Sequence, residues 1–150
     1  SVVIDRKELE YTKTPDHFLV LLLLQPKLRE YLPLVTPELF SNDNSRALLE
    51  FLKANPEFSG APETAAALKQ IGDYVKITLL QYEELYQGLE FTELQYEAAR
   101  LQARLVEQFV KHKKEQLITQ LHDADDASTQ TLLEQVKALD TLLNHVKGGL

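Results

Sequence analysis

An all-α fold is expected: a compact bundle of short helices, then a long helix and a C-terminal helical hairpin. Three observations predict it. All six prolines lie at or before Pro62, and the stretch beyond is rich in Leu, Ala, Glu, Lys and Gln, all good helix formers. Apolar residues recur at helical spacing over long segments, most strictly at Leu132, Val136, Leu139, Leu143 and Val146. No segment alternates with period two between hairpin turns, so no sheet is expected.

The elements follow in order. Residues 1–13 read as a charged lead-in, the end of a linker. Thr14, Pro15 and Asp16 form a helix start, with Thr14 as cap, Pro15 in the first helical position and Asp16 against the helix dipole. The helix predicted over 15–25 is apolar almost all round, as a buried central element must be. Pro26 breaks it and opens a short helix over 27–32. Thr36, Pro37 and Glu38 repeat the cap-proline-acid order for one more turn, ending near Phe40. Ser41, Asn42, Asp43 and Asn44 are a turn and cap cluster before a helix over 46–54, whose face is Leu48, Leu49, Phe51 and Leu52. Asn55-Pro56 ends it. Ala61-Pro62-Glu63-Thr64 opens the next, whose stripe of Ile71, Tyr74, Val75 and Leu79 is bent at Gly72. Gly88 then punctuates.

The last third reads as a hairpin with more apolar surface than it can bury alone. Thr92 and Gln95 form a capping box, with Phe91 and Tyr96 stapled across the first turn. The long helix loses its apolar face at Lys111, His112, Lys113, Lys114, Glu115 and Gln116. Six polar residues in a row suit a hinge, and the division is placed there: a bundle over 14–110 and a projecting hairpin over 111–150. The helix resumes at Leu117, Ile118 and Leu121, turns at residues 122–126, and returns through the seam, with Leu133 and Leu142 beside it. Facing helices hide one stripe apiece, and the remainder needs a partner. If the seam packs inward, Leu142 and the flank of Gln135 and Leu139 lie outermost. The partner-binding set is Leu121, Gln135, Leu139, Leu142, Leu143 and Val146; the hinge is Lys111, His112, Lys113 and Lys114.

Composition narrows the function. The chain has 150 residues, 44% hydrophobic and 26% charged, which is ordinary for one soluble globular domain or a domain with an appendage. A net charge of -7 argues against a sequence-independent grip on nucleic acid. Three lysines near 111–114, beside Glu107 and Glu115, read as a solvated face. With no cysteine there is neither a disulfide framework nor a thiolate zinc site, in keeping with a reducing cytoplasm. The apolar run over 18–24 is too short to span a bilayer, and no signal peptide precedes it. Ser at position 1 and the lack of any Met suggest a piece of a longer chain or a processed start.

Chemistry-bearing patterns are sparse. None of the four histidines, His17, His112, His122 and His145, has Glu three residues before it, as a di-iron bundle requires. His17 reads as a half-buried packing residue and the others as solvated. Asp123, Asp125 and Glu134 fall at the first, third and twelfth positions of a calcium loop. Ala127 and Ser128 stand where a ligand and a glycine belong, so the aspartates read as turn and cap residues. There is no glycine-rich phosphate loop, and no serine has an activating His and acid pattern. No catalysis, metal or cofactor is expected within this stretch.

The order of these elements resembles the C-terminal helicase-binding domain of bacterial DNA primase, the DnaG type. The run from His17 through Gln25-Pro26-Lys27-Leu28 is similar to that domain's first helix and the short helix after it. Pro37-Glu38-Leu39-Phe40 and Ser45-Arg46-Ala47-Leu48-Leu49 are similar to its next two elements. Residues 91–121 resemble its long helix and 132–150 its terminal hairpin helix. The likeness covers about residues 14–150, with no distinctive motif between Ser59 and Gly88.

The resemblance implies a bacterial, cytoplasmic parent nucleotidyltransferase that makes RNA primers with zinc and magnesium, in zinc-binding and TOPRIM domains absent here. This stretch would dock on the N-terminal domains of the hexameric replicative helicase, with no direct nucleic-acid or membrane contact. Two alternatives stand beside it. The N-terminal domain of the helicase itself has a related bundle and hairpin, though Lys147-Gly148-Gly149-Leu150 reads as a natural chain end. The other is a non-enzymatic helical adaptor that self-associates through the seam.

Overall fold

The computed structural model describes the backbone of residues 6–148, with side chains from Lys13 onward. Among the described residues there are α-helices and 3-10 turns and no strand, so the chain is all-α. It divides into two compact units, Ser1–Gln102 and Ala103–Leu150. That boundary precedes the polar hexad by eight residues. Ala103, Val106, Val110 and Leu117 are all buried at helical spacing, so one apolar stripe runs through both sides of the hexad.

The first unit is built round α1, Arg6–Leu24. Phe18, Leu19, Val20, Leu21, Leu22 and Leu23 are buried in succession, which only a helix covered on every side allows. The cover comes from α2 (Asp43–Ala54), α3 (Gly72–Leu85) and the 3-10 turn Pro26–Tyr31. Thr14 is not the N-cap. The helix starts by Arg6 and carries Pro15 in its interior, where the ring removes one backbone hydrogen bond. The expected linker over 1–13 is therefore helical from Arg6, and its first five residues lie outside those described. A Thr-Pro-Asp triplet looks the same at a helix start as within a helix whose burial outweighs the lost bond.

Arg29 closes the far end of α1. Its guanidinium is buried and donates to three backbone carbonyls: Leu22 at 2.9 Å, Leu23 at 3.2 Å and Pro56 at 2.9 Å. Helix-end carbonyls have no partner within the helix and carry partial negative charge, so a cation there satisfies both needs. The cap of α2 is as expected: the Asn42 side chain accepts from the backbone N–H of Asn44 and Ser45. The three helices meet at a half-buried polar node. Tyr74 on α3 donates to Asp16 Oδ1 at 2.7 Å, and Ser45 on α2 reaches the same oxygen at 3.5 Å. Burial pushes the Asp16 carboxyl above its usual range, and the bonds from Tyr74 and Ser45 counter only part of that rise.

Gly88, at φ +88°, makes the turn into α4, Phe91–Leu121. The α4 cap lies two residues before the expected one. Glu93 accepts from the backbone N–H of Glu90 at 3.3 Å, so Glu90 and Glu93 replace Thr92 and Gln95. The expected staple is absent: Phe91 and Tyr96 are both exposed, with Lys27 Nζ 5.8 Å from the centroid of the Phe91 ring. Gln95 instead donates to Glu30, and Gln102 to the Tyr31 carbonyl. These bonds tie the first part of α4 to the turn after α1.

Candidate functional site

In the second unit α4 continues unbroken through Lys111, His112, Lys113 and Lys114 to Leu121. The hexad is not bare. Lys114 takes the stripe position between Val110 and Leu117, is half-buried, and pairs with Asp140 of α5 (Asp126–Gly148). Helix-forming residues and this ion pair carry the helix across the stretch expected to bend or break. Lys147 Nζ lies 3.8 Å from Glu107 Oε1. The two bridges are seven residues apart on each helix, in opposite directions, which fixes the hairpin as antiparallel and gives its register.

The turn is built as expected. Asp125 Oδ1 accepts from the Ser128 backbone N–H at 2.8 Å, capping α5. That bond holds the Asp125 carboxyl below its ordinary range.

The partner-binding residues do not form one exposed face. Val146 and Leu132 are buried, closing the seam at both ends. Leu121, Leu139, Leu142 and Leu143 are half-buried, and of the proposed set only Gln135 is fully exposed. Leu142 is thus not the outermost apolar side chain of the hairpin. Those are Ile118, 54% exposed, and Leu133, 50% exposed.

Helical periodicity places this pair together. Ile118 is one turn beyond Lys114, and Leu133 is two turns before Asp140, so both share the side of the hairpin that carries the bridges. Leu142 is two residues from Asp140, roughly 200° round the helix, and Gln135 is on that far side too. Sequence reasoning places Leu142 outermost, where the structure has Ile118 and Leu133, because the seam alone does not give its own rotation. The signal lay in charge: Lys114 and Asp140, and Glu107 and Lys147, can pair across the hairpin in one register only.

A second exposed apolar region belongs to the first unit. Ile77 and Leu80 stand outward on α3, and Leu80 edges an open groove of about 660 Å³ whose walls include Leu24, Pro62, Leu79 and Tyr82. Its rim bears Glu63, Lys76 and Glu83, of mixed sign. Sequence reading passed it over, although α3 has more apolar positions than one stripe needs.

His17 is half-buried, with its ring edge-on to Tyr86 at 6.0 Å, and burial lowers its pKa. Tyr86 bonds Glu97, which Arg100 holds at 2.6 Å and which that hydrogen bond keeps below the usual carboxylate range. His112, His122 and His145 are exposed. No group of three or more His, Cys, Asp or Glu side chains placed to hold a metal ion occurs among the described residues. No helix among them is long and apolar enough to cross a membrane. No family model matches the chain, and neither the curated proteins nor the solved structures yield a match.

Proposed function

We propose that this chain is the helicase-binding module of a bacterial DNA primase, docking the primer-synthesising enzyme on the hexameric replicative helicase at the fork. The observation that carries the reading is the exposed pair Ile118 and Leu133 on one side of the terminal hairpin. These two side chains leave apolar area in water that a partner would remove. The resemblance of the element order to the primase domain supplies the partner. The proposed role is mechanical: the hairpin holds on, and the parent's other domains perform synthesis in the cytoplasm.

Equilibrium binding of the chain to the N-terminal domains of the cognate helicase tests this. The double variant Ile118→Ser, Leu133→Ser should lose about 2 kcal/mol of binding, as for an interface hot spot, with an unchanged melting curve. Full-strength binding by a folded double variant would remove the hairpin from the interface. No binding by the unaltered chain would remove the helicase.

A further inference from the structure

We infer that the partner segment received by the Ile118–Leu133 face is basic as well as apolar. The inference rests on the docking reading above and adds the chemistry of the occupant. The apolar pair makes the surface, and its charge selects what can cover it.

Residues 115–134 contain the pair, the turn and the start of α5, and they hold five carboxylates with no Lys or Arg: Glu115, Asp123, Asp125, Asp126 and Glu134. Two of these have work within the fold. Asp125 caps α5, and Asp126 sits in its first turn where the dipole favours an anion. The remaining three are exposed and form no ion pair among the described residues. Glu115 is one turn before Ile118, so a carboxylate borders that apolar side chain, whereas Glu134, adjacent to Leu133 in sequence, lies about 100° further round α5 and accepts from Gln130. On the stem side Lys114 is already committed to Asp140, and the cations that remain are Lys137, one turn beyond Leu133, and Lys111, two turns before Ile118. The field over the face is therefore negative toward the tip.

That field decides between occupants. A second copy of this chain would bring five carboxylates against five, and a nucleic-acid backbone would bring phosphates against them; both are repelled. An amphipathic segment with apolar residues flanked by Lys or Arg meets the apolar pair and the border together. Complementary charge of this kind acts mainly on the rate of encounter and is screened by salt.

The test uses the whole chain and two synthetic amphipathic peptides, one of leucine and lysine, the other of leucine and glutamate. Binding is followed by fluorescence anisotropy and stopped flow. The lysine peptide should bind and the glutamate peptide should not. The association rate should fall by about tenfold or more as ionic strength rises from about 0.01 M to about 0.15 M, where the screening length shrinks from about 30 Å to about 8 Å. Asp123→Asn with Glu115→Gln should remove most of that salt dependence. Ile118→Ser with Leu133→Ser should keep it while weakening binding at least about tenfold. Glu50→Gln with Glu57→Gln, exposed carboxylates of the first unit, should change neither.

Equal binding of both peptides, or equal sensitivity to the Glu50 and Glu57 changes, would overturn the inference, as would dimerisation abolished by the Ile118 and Leu133 changes. The same series with helicase N-terminal domains separates the two readings. Helicase binding indifferent to salt and to Asp123 and Glu115 overturns the basic occupant and leaves the helicase. A chain that takes the lysine peptide at this face but ignores the helicase keeps the occupant and loses the helicase.

Discussion

Arg29 is buried and Asp16 half-buried, and they act on stability in different ways. Arg29 is held by three carbonyls at a helix end, so its loss strands buried acceptors. Arg29→Met should destabilise the chain by about 3 kcal/mol in urea titration, since each buried unsatisfied group costs about 1–3 kcal/mol. A cost below that of an ordinary surface change would mean that water reaches those carbonyls. Asp16 has a folded pKa raised from 3.8, chiefly by burial. Its contribution is therefore fully present at pH below 3.8 and is lost as pH rises through the folded value. Glu97 is the reverse case: with a folded pKa lowered from 4.5, chiefly by the bond from Arg100, it contributes above 4.5 and loses that contribution as acid protonates it. Melts across this range should show Asp16→Asn gaining on the unaltered chain as pH rises from 3.8. Glu97→Gln should fall behind it as pH rises toward and past 4.5. Parallel curves for both variants would contradict the assigned environments.

At the scale of the element, signals that need only a few adjacent residues were legible and those that depend on distant packing were not. The Asn42 cap, the Asn55-Pro56 stop, the turn at Gly88 and the Asp125 cap could all be read, because each is a bond or a backbone angle within one turn. Thr14 was misread because what surrounds α1 lets the helix run on through Pro15. The capping box at Thr92 was displaced to Glu90 and Glu93, since both pairs satisfy the same spacing. For the hairpin, existence and seam were legible, but rotation was not, because it depends on which charges of α4 meet which of α5. The hexad shows the same limit: six polar residues suggest a hinge, while the Lys114–Asp140 pair exists only once α5 is in place. Hydrogen exchange should therefore find the amides of residues 111–116 protected continuously with those of 94–105. A sharp drop at the hexad would restore the hinge. Lys114→Ala should cost less than about 1 kcal/mol, as expected for a partly exposed pair.

For the whole molecule, each unit has buried apolar side chains of its own and exposed ones beside them. Burial round α1 gives the first unit its stability; truncating Leu21 to Ala there should cost about 2–5 kcal/mol in a thermal melt and leave the hairpin's apolar pair untouched. The second unit carries apolar side chains beyond its own packing needs, and Ile118 and Leu133 can be changed at little cost because they have no core to lose. In the proposed complex those two side chains, rather than Leu142 on the opposite flank, make the partner contact. One measurement decides it: titration of helicase N-terminal domains with the unaltered chain, with Ile118→Ser, Leu133→Ser and with Leu142→Ser, each checked by a thermal melt. The account predicts that the double variant melts normally and binds at least about tenfold more weakly. It predicts that Leu142→Ser, at a half-buried site, lowers the melting temperature and binds normally once folded. Normal binding by the double variant beside lost binding by a folded Leu142→Ser would contradict it.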